Sequence, residues 1–166
     1  MQDLASDIES WILNTLSTRS EVFNGLPPCP YAKSAWLDNK VKVHHITGEH
    51  FEPKMHLSAE LENYTYHWPK GKEVVVLGVD PNLISAEQLS KVIDDQHNML
   101  SKRGYTALED HPDDVEMVSN VKLNQGKWAL VLLQETSKLN EARDWLESRD
   151  YYKNWDPEYK ASVQDR

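Results

Sequence analysis

The spacing of apolar residues predicts a helix at the start of the chain. Apolar side chains there recur at intervals of three and four, along one helical face: Leu4, Ile8, Trp11, Ile12 and Leu16. We therefore predict a helix from about Asp3 to Thr18. The proline-rich segment Gly25–Pro30 forces irregular, extended backbone, because each proline fixes its own φ and disfavours the α region for its predecessor. A short helix over Pro30–Leu37 is expected after it.

Strand patterns follow. Four segments are predicted as strands: Lys40–Thr47, Glu73–Asp80, Tyr105–Glu109 and Lys127–Gln134. In the first, Val41, Val43 and His45 alternate onto one face, which is typical of a half-buried strand. Glu73–Asp80 is instead a continuous run of apolar, β-branched residues, which indicates a central strand buried on both faces.

Two further helices have clear patterns, and one segment does not. Ser85 and Gln88 form a capping box before an amphipathic stretch that ends at Gly104. A second helical face contains Leu139, Ala142, Trp145 and Leu146. The segment Pro53–Trp68 fits a helix, but its aromatic end fits a strand or loop as well.

This order of elements predicts an α+β fold. We expect a four-stranded sheet with helices packed mainly on one face, and a ferredoxin-like arrangement is one option. Residues 1–166 should form a single domain, since no linker, repeat or low-complexity tract divides them. The aromatic part of the tail, from Tyr151, should dock on the core, and the end after about residue 160 should fray.

Composition narrows the class of protein. The 166 residues carry a formal net charge of −9, and the basic residues are scattered, which argues against nucleic acid and anionic membranes as partners. A lone cysteine cannot form an internal disulfide, and the N-terminus carries acids where a signal peptide would be basic. We therefore expect a cytoplasmic protein without a transmembrane segment.

Cys29 is the first candidate for chemistry. If Pro30 begins the short helix, Cys29 is its N-cap, where unpaired amides and the helix dipole favour a thiolate. Lys33, one turn later, would add positive charge. Cys29 would then be a nucleophile or a metal ligand. The alternative, which we weigh more heavily, is a small buried side chain in a rigid proline-rich loop.

A second candidate lies just after a predicted strand. His111 is close in sequence to Asp113 and Asp114, so an imidazole beside carboxylates could act as a general base or hold a cation. The same residues also suit the first turn of a helix without any function, because Pro112 and the two acids match N-terminal helix preferences.

The remaining histidines and the aromatic tail have weaker signals. Several histidines and acids fall within one short span: His44, His45, His50, His56, Glu49 and Glu52. Their spacing matches no standard metal motif, which favours solvated or hydrogen-bonded roles. The four aromatics of the tail could line a binding surface, but capping the core is the more common role.

Two motifs resemble an uncharacterised bacterial family of domains of unknown function. The first is Trp11-Ile12 followed by residues 25–32, Gly-Leu-Pro-Pro-Cys-Pro-Tyr-Ala, where the family has Gly-Leu-Asn-Leu-Cys-Pro-Phe-Ala. The second combines His111-Pro-Asp-Asp-Val115 and Ser119-Asn120 with the strand Trp128–Leu133, which are similar to the family's Pro-Asp-Asp, Asn-containing linker and apolar strand.

The resemblance has limits. Pro-Pro replaces the family's Asn-Leu before Cys29, and part of the longer loop before Pro-Asp-Asp is missing. The family has no assigned reaction. The resemblance therefore implies a shared fold and draws attention to Cys29, Pro30, Asp113 and Asp114, without supplying a substrate.

Two functional hypotheses follow. The first is a small enzyme or catalytic accessory in which Cys29, Lys33, His111, Asp113 and Asp114 form a site at the sheet edge. The second is a non-catalytic protein-interaction module in which Cys29 is structural. The ligand would be a small molecule in the first case and another protein in the second. The sequence names no cofactor and leaves metal binding and oligomeric state open.

Overall fold

A computed structural model describes residues 3–48 and 52–165 of the chain. The α-helices are α1 (Leu4–Trp11), α2 (Ala32–Leu37), α3 (Pro53–Tyr66), α4 (Ala86–Lys102), α5 (Thr136–Ser148) and α6 (Pro157–Gln164). A π-helix (Ile12–Leu16) continues α1, and a 3-10 turn spans Glu21–Phe23. The strands are β1 (Val41–Ile46), β2 (Val74–Val79), β3 (Tyr105–Asp110), β4 (Met117–Val118), β5 (Val121–Lys122) and β6 (Ala129–Glu135).

Four of these strands form one mixed sheet in the order β1-β2-β6-β3. β1 runs parallel to β2, and β6 is antiparallel to both of its neighbours, β2 and β3. β4 and β5 form a separate two-stranded hairpin in the connection from β3 to β6. The described residues thus confirm the predicted α+β class and its four-stranded sheet.

The ferredoxin-like option is not confirmed. The strands of the sheet follow the order β-α-β-α-β-β, whereas a ferredoxin-like unit runs β-α-β-β-α-β. Here α3 joins two adjacent parallel strands, and α4 joins β2 to β3 with β6 inserted between them. Both crossovers advance in the same direction across the sheet. Because such connections share one hand, α3 and α4 lie on the same face.

That first face holds the largest core cluster. Leu57 and Leu61 of α3, and Leu89 of α4, are fully buried against it. The facing strand residues alternate as the pleat requires: Val75, Leu77 and Val79 of β2, and Ala129, Val131 and Leu133 of β6.

The opposite face is covered too, which corrects the expectation that helices pack mainly on one face. Leu4, Ile8 and Trp11 of α1 are buried against the other side chains of β2 and β6, among them Val76 and Leu130. A strand pair apolar on both faces needs cover on both, so the N-terminal helix supplies the second layer.

A polar contact fastens this second layer. The Asp7 carboxylate accepts a hydrogen bond from Trp128 Nε1 at 2.9 Å and pairs with Lys127 Nζ at 2.6 Å. The Lys127 and Trp128 hydrogen bonds hold the pKa of Asp7 below its usual value. The carboxylate therefore ties α1 to the start of β6.

The chain after β6 forms a third cluster. Phe23, Val118, Tyr151 and Tyr152 are buried together, and Trp155 stacks on this group. The prediction that the aromatic tail docks on the core is confirmed. Its end, expected to fray after about residue 160, instead forms α6, because Asp156 caps it by accepting from the amides of Glu158 and Tyr159.

The helical turn expected at His111 does not form. The segment is a β-turn, in which the amide of Asp114 donates to the His111 carbonyl at 3.1 Å. A helix would need the same carbonyl one residue later, but the Asn124 side chain also occupies it. Elsewhere the ambiguous segment 53–68 is helical, and the Ser85–Gln88 capping box is present.

Across residues 3–48 and 52–165, every helix is too short or too polar to cross a membrane.

The contact between Gly78 and Leu4 gives a stability test. A Cβ on Gly78 would lie 2.5 Å from one Leu4 methyl carbon and 2.6 Å from the other, and Leu4 is buried. We expect Gly78→Ala to lower the free energy of unfolding by about 1 to 3 kcal/mol through overpacking. In a Leu4→Ala background the same change should cost much less, because the clashing carbons are gone. Urea unfolding of all four proteins measures this coupling, and additive effects would contradict it.

Candidate functional site

A cleft of about 510 Å³ lies where β3 ends and the chain turns toward the β4–β5 hairpin. Its lining residues come from three parts of the chain: Glu109, Asp110, His111, Asp114, Val115, Glu116, Met117, Asn124 and Tyr159. Four of them are acidic. Two apolar ones, Val115 and Met117, are 53% and 45% exposed. The cleft thus combines carboxylates with exposed apolar side chains.

Asn124 organises this region from below. Its Oδ1 accepts the amide of Glu116 at 2.6 Å, and its Nδ2 lies 2.6 Å from Asp110 Oδ1 and 2.8 Å from the Asp114 carbonyl. The residue itself is buried. One amide side chain therefore connects the end of β3, the turn after it and the strand-like segment before β4.

Asp110 is the buried acid of the cleft. One carboxylate oxygen accepts from Asn124, and the other accepts the amide of Gln125 at 2.8 Å. Burial raises the pKa of Asp110, although these two hydrogen bonds oppose the effect. The side chain has a structural role, since both of its oxygens hold the connection to β6 in place.

His111 is buried and fully engaged. Its Nε2 lies 2.9 Å from the carbonyl of Ile84, so Nε2 must carry the hydrogen, and Nδ1 accepts the amide of Asp113 at 3.1 Å. Both ring nitrogens thus serve local structure. The prediction of His111 as a general base draws no support from this geometry.

The two aspartates after His111 differ in position. Asp113 is 84% exposed, and its carboxylate is 3.9 Å from His111 Nδ1. Asp114 is also exposed, but it lines the cleft, whereas Asp113 does not. Only Asp114 of this pair can contribute to a ligand in the cleft.

Cys29 is not the N-cap that the sequence predicts. α2 begins at Ala32 with Tyr31 as its N-cap, and Pro30 belongs to the preceding turn. The amide of Cys29 donates to the Leu16 carbonyl at 3.0 Å, which ties this loop to the end of the π-helix. The proline-rich loop is therefore held in place two residues before the helix starts.

Burial decides the ionisation of the Cys29 thiol. It raises the pKa of Cys29, while the amides of Tyr31 and Ala32 lower it to a lesser extent. Lys33 is exposed and is not among the groups that shift this pKa. The expected combination of dipole and lysine thus loses to desolvation, and a neutral thiol is favoured.

Cys29 and the His111 loop are separate features. Cys29 affects the pKa of Tyr31 and Tyr151, so its surroundings are aromatic. Within residues 3–48 and 52–165, no hydrogen bond or ion pair joins Cys29 to His111, Asp113 or Asp114. The predicted shared site at the sheet edge is not assembled.

The histidine-rich span divides in the structure. His44 Nδ1 lies 2.9 Å from the Tyr64 hydroxyl and 3.8 Å from Glu60, and His56 Nε2 lies 3.8 Å from the same glutamate. Glu49 and His50 lie outside the described residues. In the described part of the chain, no group of three or more His, Cys, Asp or Glu side chains is placed to hold a metal ion.

Sequence reasoning missed three residues of the cleft: Asn124, Glu116 and Tyr159. Asn124 directly precedes the turn predicted at Gln125–Gly126, so its position in a connection was visible. Its burial was not, because an asparagine before a turn is usually explained by the turn itself. Tyr159 reaches the cleft from the other end of the chain, a contact that only the folded chain creates.

No family model, curated protein or solved structure matches this chain. The resemblance to the bacterial family with the Cys-Pro-Phe-Ala motif therefore remains a prediction from the sequence.

Alkylation of Cys29 tests its ionisation. Because burial raises the pKa of the thiol, iodoacetamide should react slowly at neutral pH, with a rate that rises only above the free-cysteine pKa of about 8.5. The same chain in urea supplies the reference rate. A rate that reaches its plateau below neutral pH in the folded protein would show a thiolate and contradict the structural role.

Replacement of Asn124 tests its role as the connecting residue. Asn124→Ala removes the acceptor for the Glu116 amide and a donor to Asp110, and we expect a loss of about 2 to 4 kcal/mol in the free energy of unfolding. The matched control is Asn120→Ala, an exposed position in the β4–β5 turn. Urea unfolding should separate the two variants, and equal stabilities would contradict this role.

Proposed function

We propose that this chain is a non-catalytic protein-interaction module, that Cys29 is structural, and that the cleft beside β3 is its binding surface. The partner segment would carry lysine or arginine next to an apolar side chain. The observation that supports this most directly is the pairing of exposed Val115 and Met117 with a carboxylate-lined cleft.

Charge complementarity supports this choice of partner. Asp114 and Glu116 alternate with Val115 and Met117 along four consecutive residues, so acidic and apolar side chains line the same opening. A cationic partner would gain from these carboxylates, and the net charge of −9 would steer it toward the protein. A nucleic acid would meet repulsion at the same place.

Rigidity also suits a binding role. Asn124 and Asp110 hold the floor of the cleft through hydrogen bonds of 2.6 to 2.8 Å. A surface whose shape is set before binding loses less entropy when a partner docks. The acidic and apolar side chains are thus presented on a fixed frame.

The catalytic alternative has less support. It would use Cys29 as nucleophile with Lys33, His111, Asp113 and Asp114. The amides of Tyr31 and Ala32 near the sulfur favour it, but burial acts more strongly on the Cys29 pKa and both His111 nitrogens are occupied. The alkylation experiment above addresses this alternative.

Fluorescence polarisation tests the proposed partner chemistry. The probe is a labelled synthetic peptide of lysine and leucine, and its control replaces every lysine by glutamate. The full chain should bind the lysine peptide, bind the glutamate peptide far more weakly, and lose affinity as ionic strength rises. Equal binding of both peptides would contradict the proposal.

Two adjacent aspartates provide a matched pair of variants. Asp114→Lys reverses a charge in the cleft, and Asp113→Lys makes the same change one residue away at an exposed position outside it. We expect Asp114→Lys to weaken lysine-peptide binding by about 3- to 10-fold, and Asp113→Lys to change it much less. An equal effect of the two variants would show a general charge effect and place the binding surface elsewhere.

A further inference from the structure

The C-terminal helix α6 forms one wall of the cleft without joining the core. None of its described residues is buried, although its start is well capped by Asp156. Three of its contacts are made to α5: Lys160 with Glu147 at 2.9 Å, Arg143 Nη2 with the Val163 carbonyl at 3.3 Å, and Gln164 with Glu147 at 3.4 Å. The helix is thus fastened mainly by polar contacts.

These contacts to α5 contribute little. Lys160 and Glu147 have side chains that are 31% and 54% exposed, and ion pairs in such positions typically contribute about 0 to 1 kcal/mol. A helix that buries no residue also gives up little apolar contact when it moves away. Moving α6 should therefore cost much less than moving any helix of the two main core clusters.

One contact of α6 lies within the cleft. The Tyr159 hydroxyl donates a hydrogen bond to Glu116 Oε1 at 2.7 Å, and both residues line the cavity. The Tyr159 ring rests against Trp155, with ring centroids 5.5 Å apart. A lysine or arginine that binds the Glu116 carboxylate must share it with this hydroxyl or displace it.

We infer that α6 is a lid that occupies part of the binding surface until a cationic partner competes with Tyr159 for Glu116. This inference rests on the proposed function of the cleft. In the closed state the hydroxyl takes up acceptor capacity of Glu116. Binding then requires the open state, so the apparent affinity falls in proportion to the fraction of molecules that are open.

Tyr159→Phe tests the lid in the full-length chain. It removes the hydroxyl and keeps the ring that packs on Trp155. We expect the lysine and leucine peptide to bind about 2- to 10-fold more tightly, because the closed state loses its hydrogen bond in the cleft. Tyr31→Phe, at a 39% exposed tyrosine away from the cleft, is the matched control and should leave the affinity unchanged.

Hydrogen exchange supplies a second readout. In the wild-type chain the amides of α6 should exchange faster once the lysine and leucine peptide is added, since the open helix loses its contacts to Glu116 and α5. Thermal unfolding of each variant confirms that the fold is kept. Slower exchange in α6 on binding, or equal or weaker binding by Tyr159→Phe, would overturn the lid and make Tyr159 a contact residue.

The two proposals fail in different ways. If wild type binds the lysine peptide selectively and Tyr159→Phe does not bind it more tightly, the lid is wrong and the binding function stands. If neither protein prefers the lysine peptide to the glutamate peptide, both proposals are wrong.

Discussion

Burial of the β2–β6 strand pair on both of its faces is the constraint on which this structure depends. Each strand alternates side chains between two apolar clusters, so neither face can be left to solvent. The two crossover helices cover one face because their connections have the same hand. The other face needs a separate element, and α1 supplies it, held by the Asp7 contacts to Lys127 and Trp128.

The cleft follows from the way the chain leaves this sheet. β3 is an edge strand, and the chain must travel from its end to the start of β6 through a long connection. Asn124 closes that connection onto Asp110, which leaves Val115 and Met117 exposed between carboxylates. The C-terminal aromatics fill the third cluster and bring α6 to the same place. The candidate site thus arises where the connection and the tail meet.

Much of the fold could be predicted from local patterns. The apolar run of β2, the alternation in β1 and the capping box of α4 each depend on neighbouring residues, so each was visible in the sequence. The candidate site was much less predictable. Cys29 and His111 have the residue types of a reactive centre, yet burial of the thiol and the use of both imidazole nitrogens set their states. Both effects come from distant parts of the chain.

The sequence by itself determined the class of fold, the main helices and strands, and the acidic character of the protein, because periodicity, capping and charge are local or additive properties. Tertiary structure alone decided the strand order, the second helical layer, the structural role of His111 and the meeting of Tyr159 with Glu116. These features depend on pairs of residues far apart in the chain, whose contact exists only after the core has packed.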